Sequence, residues 1–241
     1  MKPLLAGFAI VSLLAAQSDQ PVARTDKNSQ IAHEQLLAKR KQGRIDVYFE
    51  GDSITRRWGA TDYPQLLENW KKNFFGWNAA DFGWGADRVE NILWRLENGE
   101  LDDVNPRVIV LLAGTNNVVD AKAADVTKGL ASVLRVMRAK APDAVVILMG
   151  IFPRKDKIAA MPDIEAINAN LAKMADGRKI RYLNINGRLA DRTLNAVDKL
   201  HPTLAGYQVW ADALKPILEE LLGPPRAADQ APPPTGDPSA R

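Results

Sequence analysis

Val108-Ile109-Val110-Leu111-Leu112-Ala113-Gly114-Thr115-Asn116-Asn117 is the stretch that decides the fold. Five consecutive apolar residues run into a small-residue turn closed by two asparagines. The run is too short for a buried helix and is bounded by glycine, so it reads as a strand. A strand that is apolar at every position has both faces covered, the condition of a parallel sheet between helical layers.

Working outward, Val145-Val146-Ile147-Leu148 repeats the pattern, and Ile45 to Phe49 makes a third run stopped by Gly51. Trp77–Phe82 and Ile180–Leu183 read as shorter strands. Between these runs the apolar period changes to that of a helix. Leu66, Leu67, Trp70 and Phe74 form one stripe, and Val89, Ile92, Leu93 and Leu96 form the next, stopped at Asn98-Gly99. Val126 to Met137 ends before Pro142, Ile164 to Met174 is closed by Gly177, and Tyr207 to Leu221 carries Pro216, where a bend is expected. Alternating strand and helix gives an α/β protein, a three-layer α/β/α sandwich with a parallel five-stranded sheet. Sheets of this kind bind ligands beyond the carboxyl ends of their strands. Ser53, Gly85-Ala86 and Asn116 follow the first, second and third strands and fall there.

A chain of 241 residues fits one domain with flanking segments. The division expected is a leader at 1–17, a linker and N-terminal helix at 18–43, the domain at 44–222, and a disordered Pro-rich tail at 223–241. Lys2 followed by an apolar run from Leu4 to Ala16 reads as a cleaved export signal, too short to span a bilayer. The expected location is secreted or periplasmic, with no membrane anchor after cleavage. A net charge of +3, from 32 basic and 29 acidic residues, leaves no footprint for nucleic acid. The absence of cysteine excludes disulfides, zinc-thiolate sites and a thiol nucleophile. With only two histidines, far apart, no metal and no cofactor is expected. Nothing in the sequence sets the oligomeric state.

The chemistry-bearing residues are Gly51-Asp52-Ser53 and Asp198-Lys199-Leu200-His201. A serine hydroxyl needs an imidazole to remove its proton and a carboxylate to orient that imidazole. His33 lies in the charged stretch from Ser29 to Arg44, which reads as a surface helix, so His201 is the base. Asp198 can reach it within one turn of loop. Pro202 keeps His201 out of a helix, and Thr203 can cap the helix that follows. Ser53 at a helix start gains backbone N–H groups facing developing negative charge. Asn116, ending the strongest strand, adds a side-chain amide donor. Taken singly, each motif also fits a surface turn or a simple cap; their convergence on one sheet edge is what carries the assignment.

These residues resemble the SGNH, or GDSL, hydrolases. Gly51-Asp52-Ser53-Ile54 is similar to the first block of that family, Asp81-Phe82-Gly83-Trp84-Gly85-Ala86-Asp87 to the second, and Gly114-Thr115-Asn116-Asn117 to the third. Asp198-x-x-His201-Pro202 is similar to the fifth. Within the family, Phe82-Gly83-x-Gly85 and Trp94-Arg95-Leu96-Glu97-Asn98-Gly99-Glu100-Leu101 look most like the catalytic subunits of platelet-activating-factor acetylhydrolase and their bacterial relatives. The resemblance implies a flavodoxin-like fold, Ser53, His201 and Asp198 as catalytic residues, and an oxyanion hole from the Ser53 N–H, the Ala86 N–H and Asn116. Two positions depart from the family pattern. Ala86 replaces the usual glycine and would be strained if its φ is positive. Asp81 stands where asparagine is usual.

Trp58 and Trp84 are the candidates for flanking the substrate, and Arg154 is a lesser one. The reading is a serine esterase for short acyl groups, above all acetyl, on a small-molecule or polysaccharide ester, carbohydrate or lipid-like. A carbohydrate-binding protein without turnover and an acyltransferase using the same triad are the alternatives.

Overall fold

The computed structural model describes residues 17–191 and 197–240. Nearly all of the leader expected at 1–17 lies outside them. Among the described residues no helix is long and apolar enough to cross a membrane.

Five parallel strands form one sheet: β1 (Val47–Gly51), β2 (Ala79–Asp81), β3 (Val108–Leu112), β4 (Val145–Met149) and β5 (Ile180–Leu183). Their spatial order is β2-β1-β3-β4-β5. The chain therefore reverses direction across the sheet between β1 and β3, and the ends of these strands flank the crevice where such folds place their sites. Tyr48 pairs with Ile109 and Gly51 with Leu112, so Ser53 and the Gly114 turn emerge side by side.

Alternate strand residues feed opposite layers, as the two-residue period requires. Tyr48, Ile109, Leu111, Val146 and Leu148 pack one face against α4 (Val89–Arg95), α5 (Ala123–Lys140) and α6 (Met161–Met174). Val47, Phe49, Val110, Leu112 and Ile147 pack the other against α2 (Ser53–Gly59), α3 (Pro64–Phe74) and α7 (Leu204–Leu222). Pro216 lies inside α7 as expected. α4 does not stop cleanly at Asn98-Gly99. It widens into a π-type turn over Leu96–Glu100, with Gly99 at φ +107° closing it.

Both flanks are bound more closely than their composition suggests. Ser18 is fully buried, the Val22 N–H donates to the Glu90 carbonyl, and α1 (Lys27–Lys39) follows, capped by Asp26. The tail is corrected from disordered to docked. Gly76 N–H donates to Asp229, Gln230 N–H to Asn78, Arg44 N–H to the Gln230 carbonyl, and Thr61 N–H to the Thr235 carbonyl. Residues 226–235 thus run past α3 and β2, the edge strand, a position that shields its unpaired backbone. Pro232, Pro233 and Pro234 close an apolar cavity of about 300 Å³ with Trp70, Phe74 and Lys39.

Candidate active site

Ser53 opens α2 at the end of β1. The extended backbone of Asp52 caps the helix, and its carboxylate accepts the Ile54 N–H at 2.9 Å. Gly83, in the loop after β2, packs on this turn so tightly that a Cβ would lie 2.6 Å from Arg56 N. Only glycine lets the two loops meet there. Asp81 then ties them together, accepting the Gly83 N–H at 2.7 Å on one carboxylate oxygen and the Gly59 N–H at 3.0 Å on the other. An asparagine side chain has one acceptor oxygen, so aspartate suits this position better.

His201 reaches Ser53 from 148 residues away: its Nε2 lies 2.8 Å from Ser53 Oγ. Its Nδ1 lies 2.7 Å from Asp198 Oδ2. The other oxygen of Asp198 accepts the N–H groups of Leu200 at 3.1 Å and His201 at 3.0 Å, so the loop that carries the imidazole also fixes its carboxylate. Burial pushes the Asp198 carboxyl up, but those N–H groups and the imidazole outweigh it and hold the group at about 2. His201 is shifted down from its usual 6.5, first by burial and then by Arg57 and Arg154, against the opposing pull of Asp198. A neutral imidazole between a hydroxyl and a fixed carboxylate can take the hydroxyl proton.

Asn116 follows β3 through Gly114, whose φ of +111° turns the chain back over the sheet edge. Its Nδ2 donates to the Asp87 carbonyl at 2.8 Å. Ala86, immediately before Asp87, is exposed with φ +62°, the left-handed geometry in which alanine is strained. Beneath this loop lies a buried cluster that sequence reasoning did not assign. Arg95 bonds Asp87 at 2.7 Å, Glu50 at 2.6 Å, the Phe82 carbonyl at 3.0 Å, and Glu100. His33 closes the cluster on Glu100 at 2.6 Å, so it is a half-buried partner and not a free surface residue. The Arg95 and Glu100 block was visible in the sequence, but its partners lie up to 67 residues away.

Two further expectations are corrected. Trp58 does not flank the site. It is fully buried among Phe49, Trp70, Phe74, Tyr207 and Trp210, with its Nε1 donating to Asn69. On α2 it shares a face with Ile54, and that face points into the core. Arg154 is 6% exposed and donates to the Thr115 carbonyl and Asp156, so it braces the loop after β3 and does not stand free. Trp84 is half-buried, its Nε1 donating to Ser29 and the Arg56 guanidinium 4.9 Å from its ring centre. Among the described residues no cluster of three His, Cys, Asp or Glu side chains is placed to hold a metal ion.

The model of the GDSL-like lipase/acylhydrolase family matches residues 49–209, from β1 into α7. The chain belongs to this family and is a carboxylic ester hydrolase. It is 30% identical over 200 residues to rat platelet-activating factor acetylhydrolase IB subunit alpha2, covering 79% of this chain and 83% of that one. Among solved structures, a GDSL lipolytic protein from Veillonella parvula superposes with TM-score 0.62 at 19% identity, covering 73% of this chain and all of that one. A variant of a Geobacillus acetyl-xylooligosaccharide esterase superposes with TM-score 0.58 at 17% identity, covering 76% of this chain and 96% of that one.

Proposed function

We propose that this esterase hydrolyses short-chain esters, acetyl esters foremost, through a covalent acyl-enzyme on Ser53. The observation that carries the reading is the continuous relay from Ser53 Oγ through His201 to Asp198, at 2.8 and 2.7 Å. Ser53 attacks the ester carbonyl as His201 takes its proton, and Asp198 holds the imidazole in the required tautomer. The negative charge on the tetrahedral intermediate is received by the N–H of Ser53 at the start of α2, the N–H of Ala86 and the Asn116 amide. One Nδ2 hydrogen of Asn116 is bound by Asp87, and the other remains for the oxyanion. His201 then protonates the departing alcohol and activates water to release the acid.

Acylated carbohydrate or a lipid-like ester is the substrate class supported by the relatives, and Trp84 is the side chain assigned to its wall. The export reading of residues 1–17 belongs to the same proposal and is tested by the mass of the mature protein.

The deciding experiment is turnover of p-nitrophenyl acetate by the wild type and Ser53→Ala. Loss of about 10⁴-fold or more in kcat is expected, the scale on which triad removal acts. Undiminished turnover overturns Ser53 as nucleophile, and no turnover by either protein favours the binding-protein reading. Adding a sugar acceptor and analysing products separates hydrolysis from acyl transfer, because only transfer yields an acylated acceptor.

A further inference from the structure

Among the described residues, Arg56 and Arg57 lie on α2 behind Ser53, while Arg88 and Arg154 hold the turn after β3, and all but Arg57 are committed. Arg56 forms a two-pronged pair with Asp62 at 3.1 and 2.9 Å. Arg88 is held by Glu90 and Asp120. Arg154 is buried on Asp156 and the Thr115 carbonyl. Arg57 differs. Its one ionic partner among the described residues is Asp198, at 3.4 Å, and the Tyr63 ring lies 5.3 Å from its guanidinium.

The Asp198 oxygen that Arg57 meets is already bonded to His201 at 2.7 Å, and the other is bonded to two backbone N–H groups. Asp198 therefore does not need Arg57 to stay in place. A guanidinium has five N–H donors, and a single long contact leaves most of this one unused. Its side chain keeps 29% of its exposure, beside the mouth of the site. Ser53 and Arg57 stand four residues apart on α2, and so on one face of it. Helical side chains lean toward the N-terminus, which carries the guanidinium toward the serine.

The departing alcohol must lie against His201, because His201 protonates it. Arg57 flanks that same His201–Asp198 pair. We propose that Arg57 binds an anionic group, carboxylate or phosphate, carried on the leaving-group side of the ester, and so makes this enzyme select negatively charged acyl esters. The inference rests on the Ser53 esterase reading. The planar fork of arginine matches both anions with two parallel bonds, whereas lysine offers only a point charge.

The test compares kcat/KM for phenyl acetate, 3- and 4-acetoxybenzoate and 4-acetoxyphenyl phosphate, in the wild type, Arg57→Ala, Arg57→Gln and Arg57→Lys. Thermal melts establish that each variant is folded. The wild type is expected to favour at least one anionic ester over the neutral one, and that ratio should fall about threefold to fivefold in the Ala and Gln variants, as loss of an exposed charge-assisted pair implies. Lysine should restore part of the ratio, and added salt should weaken the wild-type preference. Whether the carboxylate or the phosphate series responds identifies the anion. A wild-type ratio that is neutral, or that is unchanged in Arg57→Ala, overturns the inference. Loss of all turnover in Ser53→Ala alongside an unchanged Arg57→Ala ratio overturns the inference alone. Full turnover in Ser53→Ala overturns the esterase reading and the inference with it.

Discussion

Asn116 Nδ2 donates to the Asp87 carbonyl at 2.8 Å, and this bond joins the turn after β3 to the loop after β2. Asp87 directly follows Ala86, so two of the three proposed oxyanion donors move as one unit. The Arg95 cluster anchors that unit from below through the Asp87 carboxylate. The placement of the donors thus depends on a buried ionic network that substrate never touches.

Removing the amide should therefore cost rate. Asn116→Ala is expected to lower kcat on p-nitrophenyl acetate by about 10²–10³, the scale for loss of one oxyanion donor. KM should change far less, because the donor acts on charge that develops in the transition state. Steady-state kinetics checks this, and a loss confined to KM would contradict the role.

Ala86 sits at φ +62°. Alanine pays about 1 kcal/mol or slightly more for that geometry, and glycine does not. Ala86→Gly is expected to raise the urea midpoint or leave it unchanged, because relief of strain opposes the added freedom of the unfolded chain. Ala86→Val should lower both the midpoint and kcat, since a β-branched residue is far worse at positive φ. Equal stability of the three proteins would show that the strain is absent.

His201 is held below its usual 6.5 by burial and by Arg57 and Arg154. It must be neutral to accept the Ser53 proton, so activity falls as pH drops through its folded value. The acid limb of kcat/KM should have its midpoint below 6.5. A pH–rate profile measures this directly, and a midpoint above 7 would contradict the assignment of the base or of its surroundings.

The sheet was legible because buried parallel strands announce themselves as unbroken apolar runs, Val108–Leu112 above all. The relay was legible because the chain offers few histidines and only one before a proline beside an aspartate. Trp58 misled because its nearness in sequence to Ser53 suggests the site, whereas its position on α2 turns it the other way. Ile54 and Trp58 share the core face of that helix, as Ser53 and Arg57 share its rim, and the apolar spacing of four residues is the signal that places Trp58 inside. The tail misled for another reason. Its contacts are made by backbone groups and lone polar side chains with partners about 150 residues away or more, such as Gly76 with Asp229 and Arg44 with Gln230. A Pro-rich segment has the same composition free or docked.

Truncation after Pro225 should therefore destabilise the domain without touching the relay. It removes the bonds from Gly76, Asn78, Arg44 and Thr61 to the tail and uncovers Trp70 and Phe74. At about 1 kcal/mol per hydrogen bond, a loss of a few kcal/mol is expected, seen as a lower melting temperature. The uncovered β2 edge should also promote self-association, visible by size-exclusion chromatography. An unchanged melting temperature would show that the tail contributes nothing in solution.

Buried carboxylates set the dependence of stability on pH. Burial raises Asp52 to about 7, against the pull of the Ile54 N–H. It raises Asp81 to about 6 against Lys39, and Asp87 to about 6 against Arg95. Glu50 also rises, to about 8, because burial and its neighbours Glu100 and Asp87 outweigh the shared Arg95. In the unfolded chain these groups titrate near 3.8 and 4.5. Between about pH 4 and their folded values the unfolded state has released protons that the native state retains, so stability falls as pH rises, by up to about 1.4 kcal/mol per pH unit for each group. His201 acts in the opposite sense below 6.5, since its folded value is depressed, but it is one group against four. The urea midpoint should accordingly be higher at pH 5 than at pH 7.5. The reverse order would mean that these carboxylates are ionised in the native state, and that the Arg95 cluster holds its charges by attraction stronger than the cost of burying them.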